Sequence, residues 1–310
     1  MEILLQQIVN GLVVGSVYAL VALGYTMVYG ILGLINFAHG EVLMIGALTA
    51  LQTIGVIQRV SPDMAPLAQL AFALGVAVPV CMALGFLMER LAYRRLRNAP
   101  RLAPLITAIG VSFLLQTLAM IIWGRNYHTF PQLISTEPLE PVAGVFVTPV
   151  QLAIVGVSVA LMVGLLLLVN RTRLGRAMRA TAENHRVASL MGVDVNGIIA
   201  ATFVIGAGLA AVAGVMFGAN YGIAHYAMGS LPGLKAFTAA VLGGIGNLGG
   251  AMVGGIVLGL VESLGAGYIE HLSFGFLNSS YQDIFAFLIL GLVLIFRPTG
   301  LLGERVSDRA

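Results

Sequence analysis

Long apolar stretches alternate with short polar connections along this chain. A membrane-spanning helix needs about twenty mostly apolar residues, and eight stretches reach or approach that length. They are Ile3–Leu23, Gly40–Gln58, Leu67–Met88, Ala103–Trp123, Thr148–Val169, Ile198–Ala219, Gly249–Tyr268 and Ile284–Phe296, the last extended back to Tyr281. The pattern predicts an all-α polytopic membrane protein in which residues 1–310 form a single membrane domain.

Two further apolar stretches, Tyr25–Ile35 and Pro232–Ile245, are too short and too rich in glycine to be ordinary spans. We expect both to cross as broken segments, because an extra crossing at each place keeps the basic loops on one side of the membrane. The prediction is therefore about eight full transmembrane helices plus two short broken membrane segments. Residues 33–40 also resemble residues 243–250, which indicates a weak internal repeat of a kind that recurs among transporters.

Composition and charge exclude a soluble enzyme and set the orientation. The chain is 59% hydrophobic and 9% charged, whereas soluble domains carry about a quarter charged residues. Thirteen of the 16 basic residues lie in the ranges 90–101, 171–186 and 297–309. Because basic residues collect in cytoplasmic loops, both termini are predicted to be cytoplasmic and residues 124–147 to form an irregular external loop. The arginines follow the topology, so we expect no nucleic-acid partner.

The stretch from Asn36 to Glu41 is the first candidate site. It should begin a helix, and the free N–H groups and positive dipole end of a helix start suit a carboxylate. We therefore expect Asn36, His39 and Glu41 to line a translocation pathway. The alternative is structural: Asn36 and Glu41 cap the helix, and His39 bonds a backbone carbonyl.

The glycine-rich run 241–250, with Lys235 upstream, is the second candidate site. Glycine frees the backbone and permits close approach, which assigns Gly243, Gly246 and Asn247 to the same pathway. The alternative is a tight reversal between two helices. A lysine at membrane depth is costly and usually functional or paired, so Lys235 joins this set; the alternative is a side chain that snorkels to the membrane surface.

The third candidate is the polar loop 171–197 on the predicted cytoplasmic side. Helices in a bundle need only a few residues between them, so this length predicts a docking element made of two short helices broken at Gly192. The residues assigned to docking are Arg179, Glu183, Arg186, Ala188, Gly192 and Val193.

Several functions lack the residues that they require. The sequence has no Gly-x-x-x-x-Gly-Lys-Ser/Thr stretch to hold ATP phosphates, no metal-ligand spacing among its five histidines, and no evident Ser-His-Asp set. We therefore expect no catalytic site, no metal and no cofactor in this chain, and we predict that it is not an enzyme. Glu262 is assigned to a structural hydrogen bond in preference to ion coupling.

Four stretches together resemble the branched-chain amino acid ABC importer permeases of the LivH type. They are Gly-Leu-Ile-Asn-Phe-Ala-His-Gly-Glu at 33–41, the loop 176–194, the glycine run 242–250 and Phe-Arg-Pro-Thr-Gly-Leu-Leu-Gly at 296–303. The loop is similar to the coupling loop of ABC permeases. It carries Glu183-Asn184-His185 in place of Glu-Ala-Ala, with Gly192 where a later glycine is expected.

This resemblance implies a permease subunit in the bacterial inner (plasma) membrane. It would pair with a second homologous permease of the LivM type, two ATPase subunits that carry ATP and Mg²⁺, and a periplasmic substrate-binding protein, all within membrane lipid. The implied cargo is leucine, isoleucine and valine, moved into the cytoplasm. Similar permeases move urea or short amides. A passive channel or facilitator for a small polar solute, or an ion-coupled transporter, is the alternative outside this class, and neither needs a docking loop.

Overall fold

The computed structural model describes residues 2–97, 99–100, 102–142, 144–272 and 281–303. Within them the chain is almost entirely helical, with a π-helical turn at Glu89–Tyr93 that runs into a 3-10 turn at Arg94–Leu96. The α-helices are α1 (Glu2–Leu32), α2 (His39–Val60), α3 (Pro66–Met88), α4 (Leu102–Trp123), α5 (Pro149–Arg171), α6 (Arg173–Glu183), α7 (His185–Leu190), α8 (Val195–Tyr221), α9 (Ser230–Gly243), α10 (Leu248–Leu272) and α11 (Gln282–Phe296). The strands are β1 (His128–Thr129), β2 (Leu139–Val142), β3 (Val145–Val147) and β4 (Ile223–Ala224).

The described helices confirm an all-α polytopic membrane protein. Seven of them are long and apolar enough to cross a membrane, namely α1 to α5, α8 and α10, and α11 is a shorter apolar helix. Helices α1 and α8 form the centre, since 89% and 78% of their most apolar windows are buried, against 17% for α4. Helix α4 therefore lies at the edge of the bundle and presents an apolar face outward.

The two ends of the bundle carry different loops. One end carries α6 and α7, and we call it the arginine-rich end. The other end carries residues 124–147 and is called the opposite end. There β1 pairs antiparallel with β4, β2 pairs with β3, and Phe130 packs against Gly218. The loop predicted to be irregular therefore contains short strands.

Helix α1 runs unbroken from Glu2 to Leu32 and includes most of the predicted Tyr25–Ile35 segment, so the prediction of a separate crossing there is wrong. Gly24 lies inside the helix against His39, and the break comes instead at Gly33, which has φ +63°. The chain then turns back into the bundle, because α2 begins at His39, beside Gly24. Eight residues at about 1.5 Å each separate Gly24 from the end of α1, so α2 starts roughly 12 Å inside the bundle.

The loss of that crossing moves the N-terminus. The Gln6 side-chain amide donates to the Phe146 carbonyl at 3.0 Å and accepts from Phe146 N–H at 2.8 Å, which places the start of α1 at the opposite end. At the arginine-rich end, the His185 ring bonds the Ile31 carbonyl at 2.8 Å. The start of α1 therefore lies at the end of the bundle away from the arginine-rich loops, because α1 supplies one crossing where two were predicted. The side of the membrane that each terminus faces stays a prediction. The C-terminal residues 304–310 lie outside the described residues.

The second predicted broken segment is the 14-residue helix α9. It begins inside the bundle, where Gly229 and Gly233 touch Gly40 at the start of α2. From this shared level α2 runs to the opposite end and α9 to the arginine-rich end. Each follows a long helix that ends in a left-handed glycine, Gly33 before α2 and Gly222 (φ +70°) before α9. The two helices that begin inside the bundle therefore follow similar helix breaks, whereas the matching stretches 33–40 and 243–250 lead into α2 and α10, and the internal repeat stays a prediction.

Candidate functional site

The starts of α2 and α9 meet inside the bundle. A Cβ on Gly40 would lie 2.5 Å from the Gly229 carbonyl oxygen and 2.9 Å from Gly233 Cα, so the approach requires glycine. The two helices leave this junction in opposite directions, and both point the positive ends of their dipoles toward it. The junction therefore favours a negative charge.

Glu41 supplies that negative charge from within the chain. It is 1% exposed, and its Oε1 accepts hydrogen bonds from Gln116 Nε2 at 2.7 Å, Ser112 Oγ at 3.2 Å and Ser230 Oγ at 3.3 Å. The carboxylate also lines a cavity of about 400 Å³ that includes Tyr25. Glu41 thus cross-links α2, α4 and α9 at a cavity wall, while its Oε2 has no hydrogen-bond partner among the described residues.

Asn36 and His39, predicted to share a pathway with Glu41, are buried in the helical core. Asn36 Oδ1 accepts from Ala38 N–H at 3.2 Å and from Tyr93 O–H at 2.6 Å, so it holds the turn before α2. His39 is 3% exposed and fits between α1 and α8 beside Gly24. Neither residue lines the cavity beside Glu41, so their role in transport stays a prediction.

Lys235 forms a buried ion cluster. Its Nζ lies 2.6 Å from Glu262 Oε1 on α10 and 2.6 Å from Asp283 Oδ1 on α11. Tyr18 on α1 donates a 3.4 Å hydrogen bond to the same Glu262 oxygen. Lys235 is 6% exposed, so it pairs inside the bundle and does not snorkel to the membrane surface. The cluster lines a cavity of about 390 Å³ that is also walled by Tyr127 of the opposite end.

The glycine run forms a tight reversal between α9 and α10, as the structural alternative described. Gly243 packs directly on Gly250, and Gly244 and Gly246 have φ of +107° and +98°. Asn247 Oδ1 accepts from Gly250 N–H at 3.0 Å, and its Nδ2 donates to the Leu302 carbonyl at 2.8 Å. This turn therefore also anchors the segment after α11.

The same turn faces the predicted docking loop across a cavity of about 1120 Å³ at the arginine-rich end. Gly246 and Asn247 lie on one side, and Arg179, Glu183 and Arg186 lie on the other. The structure thus brings together residues that the sequence had assigned to two different sites. It separates this group from Glu41 and Lys235, which line two other cavities.

The docking loop contains two short helices, α6 and α7, but the break between them lies at Asn184 and not at Gly192. Asn184 Oδ1 accepts from the backbone N–H groups of Arg186 and Val187 at 2.9 and 3.1 Å, which starts a new helix. Gly192 (φ +84°) ends α7 instead. The boundary was misplaced because the capping strength of asparagine was given less weight than the flexibility of glycine.

Helix α7 presents apolar side chains to the outside. Val187, Leu190 and Met191 are 54%, 79% and 80% exposed, and Glu183 and Arg186 are exposed beside them. We call these five residues the α7 surface.

Of the other predicted docking residues, Gly192 is exposed, Val193 is half-buried and Ala188 is buried; Arg179 donates to the Val169 carbonyl at the end of α5. Ala188 and Arg179 therefore support the α7 surface from within the chain.

A polar chain of contacts joins this region to the start of α2. Arg97 donates to Asn196 Oδ1 at 2.6 Å near the start of α8 and also pairs with the fully buried carboxylate of Glu89. Burial lowers the pKa of the Arg97 guanidinium from its ordinary value, and the nearby Glu89 carboxylate opposes that shift. Glu89 begins the π-helical turn that ends at Tyr93, whose hydroxyl bonds Asn36.

Several residues of these sites were not found from the sequence. Glu262 was assigned to a structural hydrogen bond, but it is an ion-pair partner of Lys235; Asp283, Ser112 and Gln116 were not singled out. Within the described residues, no group of three or more His, Cys, Asp or Glu side chains is placed to hold a metal ion.

The family described as "Branched-chain amino acid transport system / permease component" matches residues 7–294. The chain belongs to this family. It is 49% identical over 303 residues to the high-affinity branched-chain amino acid transport system permease protein BraD of Pseudomonas aeruginosa, with 97% of this chain and 96% of that protein covered. It is 44% identical to LivH of Escherichia coli K12, with the same coverage. These matches confirm the resemblance.

A more distant relative agrees with a family that extends beyond these two proteins. A probable branched-chain amino acid transport permease LivH of Methanocaldococcus jannaschii is 28% identical and covers 95% of this chain and 91% of its own length. Among solved structures, "PsaBC from Streptococcus pneumoniae in complex with Fab" matches with a TM-score of 0.46 and 15% identity over 94% of this chain and 91% of that one, a likeness too distant to carry an argument. The chain is thus a multi-pass membrane permease.

Proposed function

We propose that this chain is the membrane-spanning permease subunit of an ATP-driven importer that moves branched-chain amino acids into the cytoplasm. Family membership supports the cargo class, since its relatives are named as high-affinity branched-chain amino acid permeases. The observation that supports coupling to a partner is the α7 surface. Two exposed apolar residues on α7 and a third directly after it, Met191, lie beside a glutamate and an arginine and resemble the centre and rim of a protein interface.

In this proposal the arginine-rich end faces the cytoplasm and the α7 surface receives an ATPase subunit. Glu183 lies at the exposed C-terminal end of α6, where it can accept charge-assisted hydrogen bonds from basic groups of the ATPase. The opposite end then faces the periplasm and receives the substrate-binding protein. A second, homologous permease subunit covers part of the outer apolar face and completes the transporter, and the remaining face contacts lipid.

Purification of the affinity-tagged chain, co-expressed with its candidate partners, tests the class of protein directly. The proposal expects a stable complex with an ATPase and, after reconstitution with the binding protein, leucine uptake that requires ATP hydrolysis. Uptake by the lone chain without ATP would identify a passive channel and contradict the proposal. Competition by urea or short amides, with no competition by isoleucine or valine, would contradict the proposed cargo.

The α7 surface has its own test. Leu190→Ala should weaken ATPase binding by about 1–2 kcal/mol, since a buried leucine side chain contributes roughly 1.5–3 kcal/mol. Leu139→Ala at the opposite end, where the leucine is 51% exposed, is the control. Glu183→Arg should reduce coupled ATP hydrolysis, because loss of one member of a desolvated charged contact costs roughly 2–5 kcal/mol; Glu137→Arg is its control. Unchanged ATPase binding in both test variants would remove α7 as the docking element.

Crosslinking can locate the contact without loss of the interface. In a Cys81→Ser chain, Ser189→Cys is exposed on α7 and should join to the ATPase subunit, whereas Ala188→Cys is buried and should not. Crosslinks from position 139 but not from position 189 would place the ATPase at the wrong end of the bundle and contradict the proposal.

A further inference from the structure

The ion cluster on α9, α10 and α11 contains one ammonium group and two carboxylates. Lys235 and Glu262 have side chains only 7% and 6% exposed, whereas the Asp283 side chain is 37% exposed. The cluster therefore carries one negative charge in excess, partly withdrawn from solvent. An uncompensated charge in such a place is costly, which favours a site where a cation completes the cluster.

The excess charge faces a cavity. Glu262 Oε2 is buried and accepts no hydrogen bond from the described residues. The other oxygen, Oε1, already accepts hydrogen bonds from Lys235 and Tyr18. Glu262 lines the cavity of about 390 Å³ that lies toward the opposite end. A buried carboxylate oxygen thus has its accepting capacity free beside a space that can hold a small molecule.

The walls of this cavity suit an apolar group on the same molecule. Aromatic rings come from Tyr127, Phe217 and Tyr221, and aliphatic surface comes from Ile223, Met228 and Leu231. Aromatic faces also attract cations. Pockets for small molecules are typically about 300–1,000 Å³ and mostly apolar, with a few convergent polar groups, so this cavity is large enough for one amino acid.

Lys235 supplies a positive charge that can contact an anionic group on the same molecule. Its ammonium group has three N–H donors; it donates to Glu262 Oε1 and lies 2.6 Å from Asp283 Oδ1, which leaves at least one donor for an anion. The wall of the cavity therefore combines a carboxylate acceptor and an ammonium donor with apolar side chains. That arrangement matches a zwitterionic amino acid with an aliphatic side chain.

We propose that this cavity binds the transported amino acid, with Glu262 Oε2 accepting from its α-ammonium group, Lys235 facing its α-carboxylate, and the aliphatic wall facing its side chain. The inference rests on the proposed function, which supplies the cargo class. It adds a recognition site on the permease itself, and it makes the α-ammonium group the required feature of the ligand.

Protection of a cysteine at Leu231 tests the site in the assembled complex. Leu231 lines the cavity and is 54% exposed, so Leu231→Cys in a Cys81→Ser chain should react with a water-soluble thiol reagent. The probes are leucine, 3-methylbutylamine, which lacks the carboxylate, and 4-methylpentanoate, which lacks the ammonium group. Leucine and the amine should slow labelling, and 4-methylpentanoate should not. Leu139→Cys, away from the cavity, should label at one rate with every probe.

Glu262→Gln keeps the shape of the side chain and leaves Lys235 paired with Asp283. It should raise the amine concentration needed for half-protection about tenfold or more, as expected for loss of a hydrogen bond to a charged group. Unchanged protection in Glu262→Gln, protection by 4-methylpentanoate equal to that by the amine, or no protection by any probe would overturn the proposal. If Glu262→Gln does not assemble, the three probes applied to Leu231→Cys still decide.

These results are distinguishable from a failure of the proposed function. A complex that couples ATP hydrolysis to leucine uptake while no probe protects Leu231→Cys would refute this site and leave the importer intact. Failure of the unsubstituted chain to bind an ATPase would refute the importer itself, and it is measured without any cavity variant.

Discussion

Replacing Gly255 by alanine should force α1 and α10 apart. A Cβ at this position would lie 2.5 Å from both N and Cα of Ala19, whereas ordinary van der Waals contact begins at 3.4 Å. The neighbouring atoms belong to the backbone of a buried helix, so they cannot rotate away. A shortfall of about 0.9 Å must be absorbed by movement of one helix against the other.

The expected loss of stability depends on how far this contact extends along the two helices. Gly11 and Gly15 on α1 and Gly259 on α10 make similarly close backbone approaches along the same interface, so the helices cannot separate at one point alone. Overpacking a core costs about 1–3 kcal/mol, and we expect the upper half of that range. At roughly 2 °C per kcal/mol for a chain of this size, the apparent Tm should fall by roughly 4–6 °C.

The assay is thermal unfolding of the purified protein in detergent, followed by intrinsic fluorescence. Gly164→Ala on α5 is the matched control, because a Cβ there meets nothing within 4 Å. It should keep the wild-type Tm or raise it, since alanine is favoured over glycine in a helix by up to about 1 kcal/mol. A Gly255→Ala protein as stable as the Gly164→Ala protein would refute the close-packed interface between α1 and α10.

Three further substitutions test the local geometry. Tyr93→Phe removes the hydroxyl that bonds Asn36 and should lower the free energy of unfolding by about 1 kcal/mol; an unchanged Tm would contradict that bond. Asn184→Ala removes the N-cap of α7, which costs about 1 kcal/mol and should speed amide hydrogen exchange in α7, while Asn184→Ser should not. Glu41→Gln removes the charge at the junction of α2 and α9 and weakens the bond from Gln116, so Tm should fall; a rise in Tm would show that the buried charge is a net cost.

Hydropathy predicted most of the helices because a membrane span must satisfy its own backbone, and every long apolar stretch became a helix. The prediction for Tyr25–Ile35 was wrong because a glycine in or beside a helix can have either of two structural roles. Gly24 is small so that His39 can pack against it, whereas Gly33 has a positive φ that ends α1. The sequence shows a glycine at both places, and only the neighbouring helix distinguishes the two.

The ion cluster shows a second limit of sequence reasoning. Lys235 was expected to be paired or to snorkel, since an isolated charge at membrane depth is costly, yet its partners lie 27 residues away at Glu262 and 48 residues away at Asp283. No helical spacing connects positions so distant in sequence. The docking loop was easier to find, because its length and polarity are local properties of the chain.

Helix α9 contacts two of the candidate regions and leads to the turn that faces the third across a cavity, which gives a physical route between them. Its start packs against Glu41 through Ser230, its middle carries Lys235, and its end forms the turn at Gly246 that faces the α7 surface. A 14-residue helix is about 21 Å long, and its hydrogen-bonded backbone moves as a unit. We therefore expect a displacement of the turn by a docked ATPase to reach the Lys235 cluster. The measurement is the labelling rate of Leu231→Cys with and without ATP in the complex; a rate independent of nucleotide would contradict transmission through α9.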